Sequence, residues 1–312
     1  MYNPETIHNM KRIFSFGLSF LLVLSAFAAD PAHVRVLSIG NSFSRDAFSY
    51  VPFLIEELAP GTKVDFCILY IGGCSLERHY QNMKSGEAAY EYDIFSSEVG
   101  RWTMERDVSL EKGVMQQDWD IIILQQQSAR SRYYDTYQPY LNELLSYLGR
   151  VRPNATPAWL LTQAYGTGFR DLGDMPTDEM WARIDESSQR VMDETAVKIL
   201  IPAGTAIQNA RYTVLDRLGQ AGHLVNDGFH LQEGIPPLIE GLVTTQVVLK
   251  HYGIDIDVQK SRLKITPEWR AERNTPQPNG QPEEASDDEY RIARQCAQWA
   301  IDNPWQLTVV EE

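Results

Sequence analysis

Cysteine is scarce in this sequence, with only Cys67, Cys74 and Cys296 in 312 residues. An odd, low number excludes a disulfide framework as the source of stability. Cys67 and Cys74 are near enough in sequence to pair in an oxidising compartment, but Cys67 lies in an apolar, strand-like run, so plain buried thiols are expected. No His/Cys cluster has metal-ligand spacing. Neither a metal nor any other cofactor is expected. Basic charge is short as well: 28 Lys and Arg stand against 42 Asp and Glu, a net charge of −14. Without a basic stripe to release counterions, the chain is not expected to bind nucleic acid. Internal repeats of 20–50 residues are also missing, which argues against a solenoid or propeller.

Apart from one stretch, long hydrophobic runs are absent. The exception, Ile13 to Ala28, follows Lys11 and Arg12 and ends in "SAFAAD". It is short of the roughly 20 residues that a bilayer span needs, and small residues follow it. Residues 1–29 therefore read as a secretory signal peptide, leaving no stable membrane span after cleavage.

Beyond it, short apolar runs alternate with helical patterns. The runs are Val34–Ile39, Val64–Tyr70, Ile121–Leu124, Trp159–Thr162 and Val197–Ile201. Such alternation predicts βαβ units and a doubly wound, parallel α/β sheet. Helices are expected over 47–58, ended by Pro60-Gly61, and over 137–148, 178–196, 234–252 and 289–302. The Pro-, Asn- and charge-rich segment 266–288 reads as a surface loop. The organisation expected is one domain over 30–265, with a C-terminal extension, 266–312, packed on it.

In an open parallel sheet, ligands bind beyond the carboxyl ends of the strands, where strand order reverses. The loops there are polar: Gly40-Asn41-Ser42 after the first strand, Gly72-Gly73-Cys74-Ser75 after the second, and Gln125-Gln126-Gln127-Ser128 after the third. "NDGFHL", with Asp227 and His230, comes late in the chain. Taken singly, each has a plain reading: Ser42 an N-cap, the glycines a turn, the glutamines a polar loop. Together they supply the parts of an acyl-transfer site: a nucleophile, oxyanion donors, and a base with an orienting acid. Cys74, with His79 five residues on, is the second candidate nucleophile.

The blocks "IGNSFS", "YIGGCSLERHY", "DWDIIILQQQS", "IPAGTAIQNAR" and "NDGFHL" resemble the SGNH or GDSL-like hydrolases, and within them a DUF4886-like branch frequent among gut Bacteroidetes. The resemblance covers roughly 34–256. It implies a flavodoxin-like, five-stranded parallel sheet in three α/β/α layers. It also implies ester hydrolysis with Ser42 as nucleophile, His230 as base and Asp227 as its orienting acid. The oxyanion hole would be formed by the N–H groups of Ser42 and Gly73 and a glutamine amide, Gln126 in first place with Gln125 or Gln127 as rivals. Asn41 stands where the superfamily usually has Asp, and the third block has glutamines where a Gly-x-Asn-Asp is usual. The implied substrate is a small-molecule or glycan ester, an O-acetylated carbohydrate first. Asn41, Tyr165, Gln208 and Asn209 are candidates to line its pocket, and the aromatics Trp102, Trp119, Tyr133, Tyr134, Tyr165 and Trp181 are candidates to stack sugar rings. The implied location is the periplasm or exterior of a Gram-negative bacterium. A glycan-binding or surface-assembly protein that keeps the fold without the chemistry is the alternative.

Overall fold

Seven strands make one sheet in the computed structural model, which describes residues 32–216, 224–276 and 280–308. They are β1 (His33–Gly40), β2 (Lys63–Tyr70), β3 (Tyr90–Ser96), β4 (Arg101–Val108), β5 (Ile121–Leu124), β6 (Thr156–Leu160) and β7 (Ile199–Ile201). Their order is β4-β3-β2-β1-β5-β6-β7. The helices are α1 (Ser42–Phe48), α2 (Val51–Leu58), α3 (Leu76–Ser85), α4 (Leu110–Met115), α5 (Tyr140–Val151), α6 (Thr177–Glu194), α7 (Ala203–Arg211), α8 (Ile235–His251), α9 (Pro267–Arg273) and α10 (Asp287–Asp302). The segment 1–29 lies outside the described residues. None of the described helices is long and apolar enough to cross a membrane.

The five apolar runs correspond to β2, β1, β5, β6 and β7, which are mutually parallel. Alternate residues of each strand enter two separate cores. Val34 and Val36 of β1 join Phe66, Ile123 and the buried residues of α2, α7, α8 and α10. Leu37 and Ile39 join Leu69, Ile122 and residues of α5. A strand buried on both faces is apolar throughout, which is why these five read clearly.

The sheet nevertheless has seven strands where five were expected. The two extra strands are an antiparallel hairpin, β3 on β2 and β4 on β3. Of β4, "RWTMERDV", only Trp102 and Val108 are buried, so an edge strand with one sparse inner face presents no apolar run. A second difference lies in the helix expected over 47–58. It is broken into α1 and α2, with Pro52 in the first turn of α2. Proline has no N–H and its ring clashes with the preceding turn, so it begins a helix rather than continuing one. Within the 266–288 segment lies the short helix α9, and α10 starts with a capping box between Ser286 and Glu289. α10 packs on α7 and α8.

Candidate active site

β1 lies between β2 and β5, and the sheet reverses its winding on either side of it. The loop after β1 therefore opens onto the crevice where ligands bind in such sheets. Asn41, not Ser42, caps the following helix. Its Oδ1 accepts from the Phe43 N–H at 3.1 Å, and Ser42 is the first helical residue. The hydroxyl of Ser42 is thus free of capping, half-buried, and 2.7 Å from His230 Nε2.

His230 comes from a tight loop closed by the bridge between Val225 and Leu231. Asp227 Oδ2 meets His230 Nδ1 at 2.7 Å, while its Oδ1 accepts from the backbone N–H groups of His230 at 2.9 Å and Phe229 at 3.2 Å. Burial alone would raise the Asp227 carboxyl; these bonds and the imidazole more than offset it and hold the group below the ordinary aspartate value. Gly228 makes the loop possible: its φ is +98°, and a Cβ there would stand 2.2 Å from the Phe169 ring. The Gly166 N–H donates to the Gly228 carbonyl at 2.7 Å and fastens the loop to the segment after β6.

The structure thus joins Ser42, His230 and Asp227 in one hydrogen-bonded series. Asn41 is buried and binds three loops together. It donates from Nδ2 to the Cys74 carbonyl at 3.0 Å and accepts from Gln125 Nε2 at 2.7 Å. It is therefore a brace behind the crevice and not a pocket residue. The donation to Cys74 also accounts for amide in place of acid here. Asn41→Asp would set two acceptors face to face in a buried place, and we expect it to destabilise the fold by about 1–3 kcal/mol in urea unfolding at neutral pH.

Gly73 is exposed at the tip of the turn after β2, with φ +60° and open space on its Cβ side. Neither its N–H nor that of Ser42 has a protein acceptor among the described residues. The three glutamines diverge. Gln126, first among the expected donors, spends its amide elsewhere: Nε2 donates to the Thr136 carbonyl at 3.1 Å and hydroxyl at 3.2 Å, and Oε1 accepts from the Leu76 and Gln127 N–H groups. Gln125 lies behind the loop, donating to Asn41 and accepting from the Ser44 hydroxyl at 2.8 Å. Gln127 accepts from the Arg130 N–H, and its amide nitrogen has no partner among the described residues.

Tyr165 is buried, its hydroxyl 2.9 Å from that of Ser128. It belongs to a ring cluster beside the histidine: Phe229 lies 4.0 Å from the His230 ring, Phe43 lies 6.0 Å from it, and Phe169 packs against both Tyr165 and Phe229. Gln208 and Asn209 do not line a pocket. Both are buried on α7, where Gln208 Nε2 donates to Asp178 and Asn209 Oδ1 accepts from the Thr308 N–H. Of the aromatics expected to stack sugars, Trp102, Trp119, Tyr165 and Trp181 are core residues; Tyr133 is exposed and Tyr134 half-buried. Composition does not distinguish a core ring from a surface ring; the stretch Gln163–Phe169, expected from its place after a strand to line the pocket, brings the half-buried Phe169 against the half-buried Phe229.

Cys74 is not equipped as a nucleophile. Its Sγ lies 3.5 Å from His79 Nδ1, but burial raises the thiol to about 12 and lowers the histidine to about 3, so the two stay neutral. A reactive cysteine needs its thiolate stabilised. Cys67 and Cys296 are also buried and free, each raised by burial to about 12. We expect a thiol reagent such as DTNB to titrate none of the three at neutral pH in the native protein and all three after unfolding.

The sequence matches the model of the family described as "Domain of unknown function (DUF4886)" over residues 35–246. Among solved structures, a DUF4886 family protein from Bacteroides uniformis is 30% identical with a TM-score of 0.73; the match covers 89% of this chain and 98% of that one. A Slackia heliotrinireducens protein, provisionally assigned as an SGNH hydrolase, is 20% identical with a TM-score of 0.46, covering 69% of this chain and 98% of that one. An acetylxylan esterase, Axe2 from Geobacillus stearothermophilus, is 14% identical with a TM-score of 0.46, covering 72% and 97%. No curated protein matches the sequence. The family match and the Bacteroides relative agree over most of the chain: the protein belongs to the DUF4886 family.

Proposed function

We propose that the protein is an exported serine esterase that hydrolyses O-acyl esters, O-acetyl groups on carbohydrates first among them. One observation carries the reading: a single imidazole bridges a half-buried serine hydroxyl and an ionised carboxylate, at 2.7 Å on each side. In this mechanism Ser42 attacks the ester carbonyl while His230 takes its proton through Nε2 and then returns it to the leaving alcohol. Asp227 holds the proton on Nδ1 and stabilises the imidazolium. The uncommitted N–H groups of Ser42 and Gly73 receive the oxyanion, and Gln127, whose amide nitrogen, unlike those of Gln125 and Gln126, has no partner among the described residues, is the third donor.

The sugar reading is supported by Phe169 and Phe229, half-buried rings of the aromatic cluster that reaches His230. Export is supported by the segment 1–29, which would place the protein in the periplasm or outside the cell. The test is acetate release from a panel of acetylated oligosaccharides, together with fluorophosphonate labelling. Release and a label on Ser42 are expected. Folded protein that takes no label and releases no acetate would favour a glycan-binding protein instead. The oxyanion assignment has its own test: Gln127→Ala should lower kcat by roughly 10²–10³. Gln126→Ala should act mainly on stability, because its amide supports the Leu76 and Thr136 backbone.

A further inference from the structure

α1 carries a second group toward the His230 loop. Asp46 lies four residues after Ser42, one turn along the same helix face. It is buried, and its Oδ2 accepts from the Leu231 N–H at 3.3 Å and from Gln163 Nε2 at 3.4 Å. The same Gln163 nitrogen reaches the Phe229 carbonyl at 3.4 Å. The bonds therefore grip the residues on both sides of His230. The other side of α1 is fixed too: Arg45 pairs with Asp93 at 2.7 Å and Glu91 at 2.8 Å on β3.

We propose that Asp46 is a positioning residue, which sets the separation of Ser42 and His230 by tying the backbone beyond the histidine to the helix that carries the serine. The role rests on the esterase reading of the site. Two points in one short helix hold the two reacting groups. Ser42 Oγ meets the imidazole, and Asp46, one turn on, holds the chain that bears it, so the loop cannot shift relative to the nucleophile without breaking a buried bond. The acceptor oxygen, and not the charge, is what the role requires. Burial pushes the Asp46 carboxyl well above the usual range, with Glu233 and Asp227 adding to the effect. Behind it Glu240 is buried, with neither oxygen hydrogen-bonded among the described residues, and its carboxyl is raised by burial and by Asp46.

The test compares Asp46→Ala and Asp46→Asn with the wild type. In Asp46→Ala the Leu231 N–H loses its acceptor. We expect kcat for an acetyl ester, and the rate of fluorophosphonate labelling at Ser42, to fall about 10- to 100-fold with KM little changed. Asparagine keeps an oxygen for the Leu231 N–H and should restore both rates to within about threefold of wild type. Hydrogen exchange at the Leu231 amide should quicken in the alanine variant and return toward normal in the asparagine variant. Wild-type labelling rates in Asp46→Ala, or an asparagine variant that folds and is as slow as the alanine one, would overturn the proposal. Wild-type protein that takes no label would instead sink the esterase reading, and the role with it.

Discussion

Ser42→Ala should lower ester hydrolysis by a factor on the order of 10⁴–10⁶, as losing the nucleophile does in serine hydrolases, and should leave the fold and its stability almost unchanged. The two halves of this expectation separate the two roles open to a serine at a helix start. An N-cap serine replaced by alanine costs about 1 kcal/mol because a first-turn N–H loses its acceptor. Here the cap belongs to Asn41, which accepts from the Phe43 N–H through its side chain and from the Ser44 N–H through its carbonyl. The Ser42 hydroxyl bonds to His230 Nε2. Its removal strips no helix of a partner and opens no apolar cavity, so the change in unfolding free energy should stay within about 0.5 kcal/mol. p-Nitrophenyl acetate hydrolysis, fluorophosphonate labelling and urea unfolding of the same preparation decide it. Full activity in the variant refutes the nucleophile, and Cys74, whose thiol burial raises to about 12, does not replace it.

The legibility of this fold follows burial. The five parallel strands are covered on both faces, so each is a nearly continuous apolar run that sequence periodicity finds. The hairpin of β3 and β4 is hidden because its outer strand faces solvent along most of its length, with Thr103 to Asp107 in one exposed row that includes Glu105, Arg106 and Asp107. Its contribution lies in long-range contact: Glu91 and Asp93 fix Arg45, and through it the helix behind the nucleophile. No local pattern announces such a pair, since 46 and 48 residues separate the partners.

The site divides in the same way. The meeting of Ser42, Asp227 and His230 is legible because each sits in a short motif whose place is set by topology. The assignment among the glutamines is not, because what engages Gln126 is Thr136, ten residues on at the end of a short 3-10 helix. Gln208 and Asn209 looked like pocket residues in a polar stretch, yet α7 is buried all round and their amides satisfy neighbouring elements. Asp46 does carry a signal in the sequence. It is an acid set among Phe43, Ala47 and Phe48 in a helix bound for the core, and four residues from the serine.

Asp227→Asn should cost a factor on the order of 10⁴ in kcat while the loop keeps its shape. Asp227 has two tasks, divided between its oxygens. Oδ1 builds the turn by accepting from the Phe229 and His230 N–H groups, and Oδ2 faces His230 Nδ1. An asparagine oxygen can take over the first task, so the turn is expected to persist. The amide NH₂ then stands opposite Nδ1 and donates to it, which places the imidazole proton on Nε2. In that tautomer the nitrogen facing Ser42 is a donor and cannot accept the serine proton. Protonation of Asp227 does not blur the comparison at working pH. The folded carboxyl is held below its ordinary value, so its contribution to the loop is complete above about pH 4 and is lost only as pH falls through the lowered value. With the side chain 46% exposed, that contribution is screened by solvent and small. The expected effect of the variant between about pH 6 and 9 is therefore a tautomer effect, and it should appear in kcat with KM nearly unchanged and with wild-type circular dichroism. A variant that hydrolyses esters at the wild-type rate would reduce Asp227 to a turn-former and leave His230 without an orienting acid.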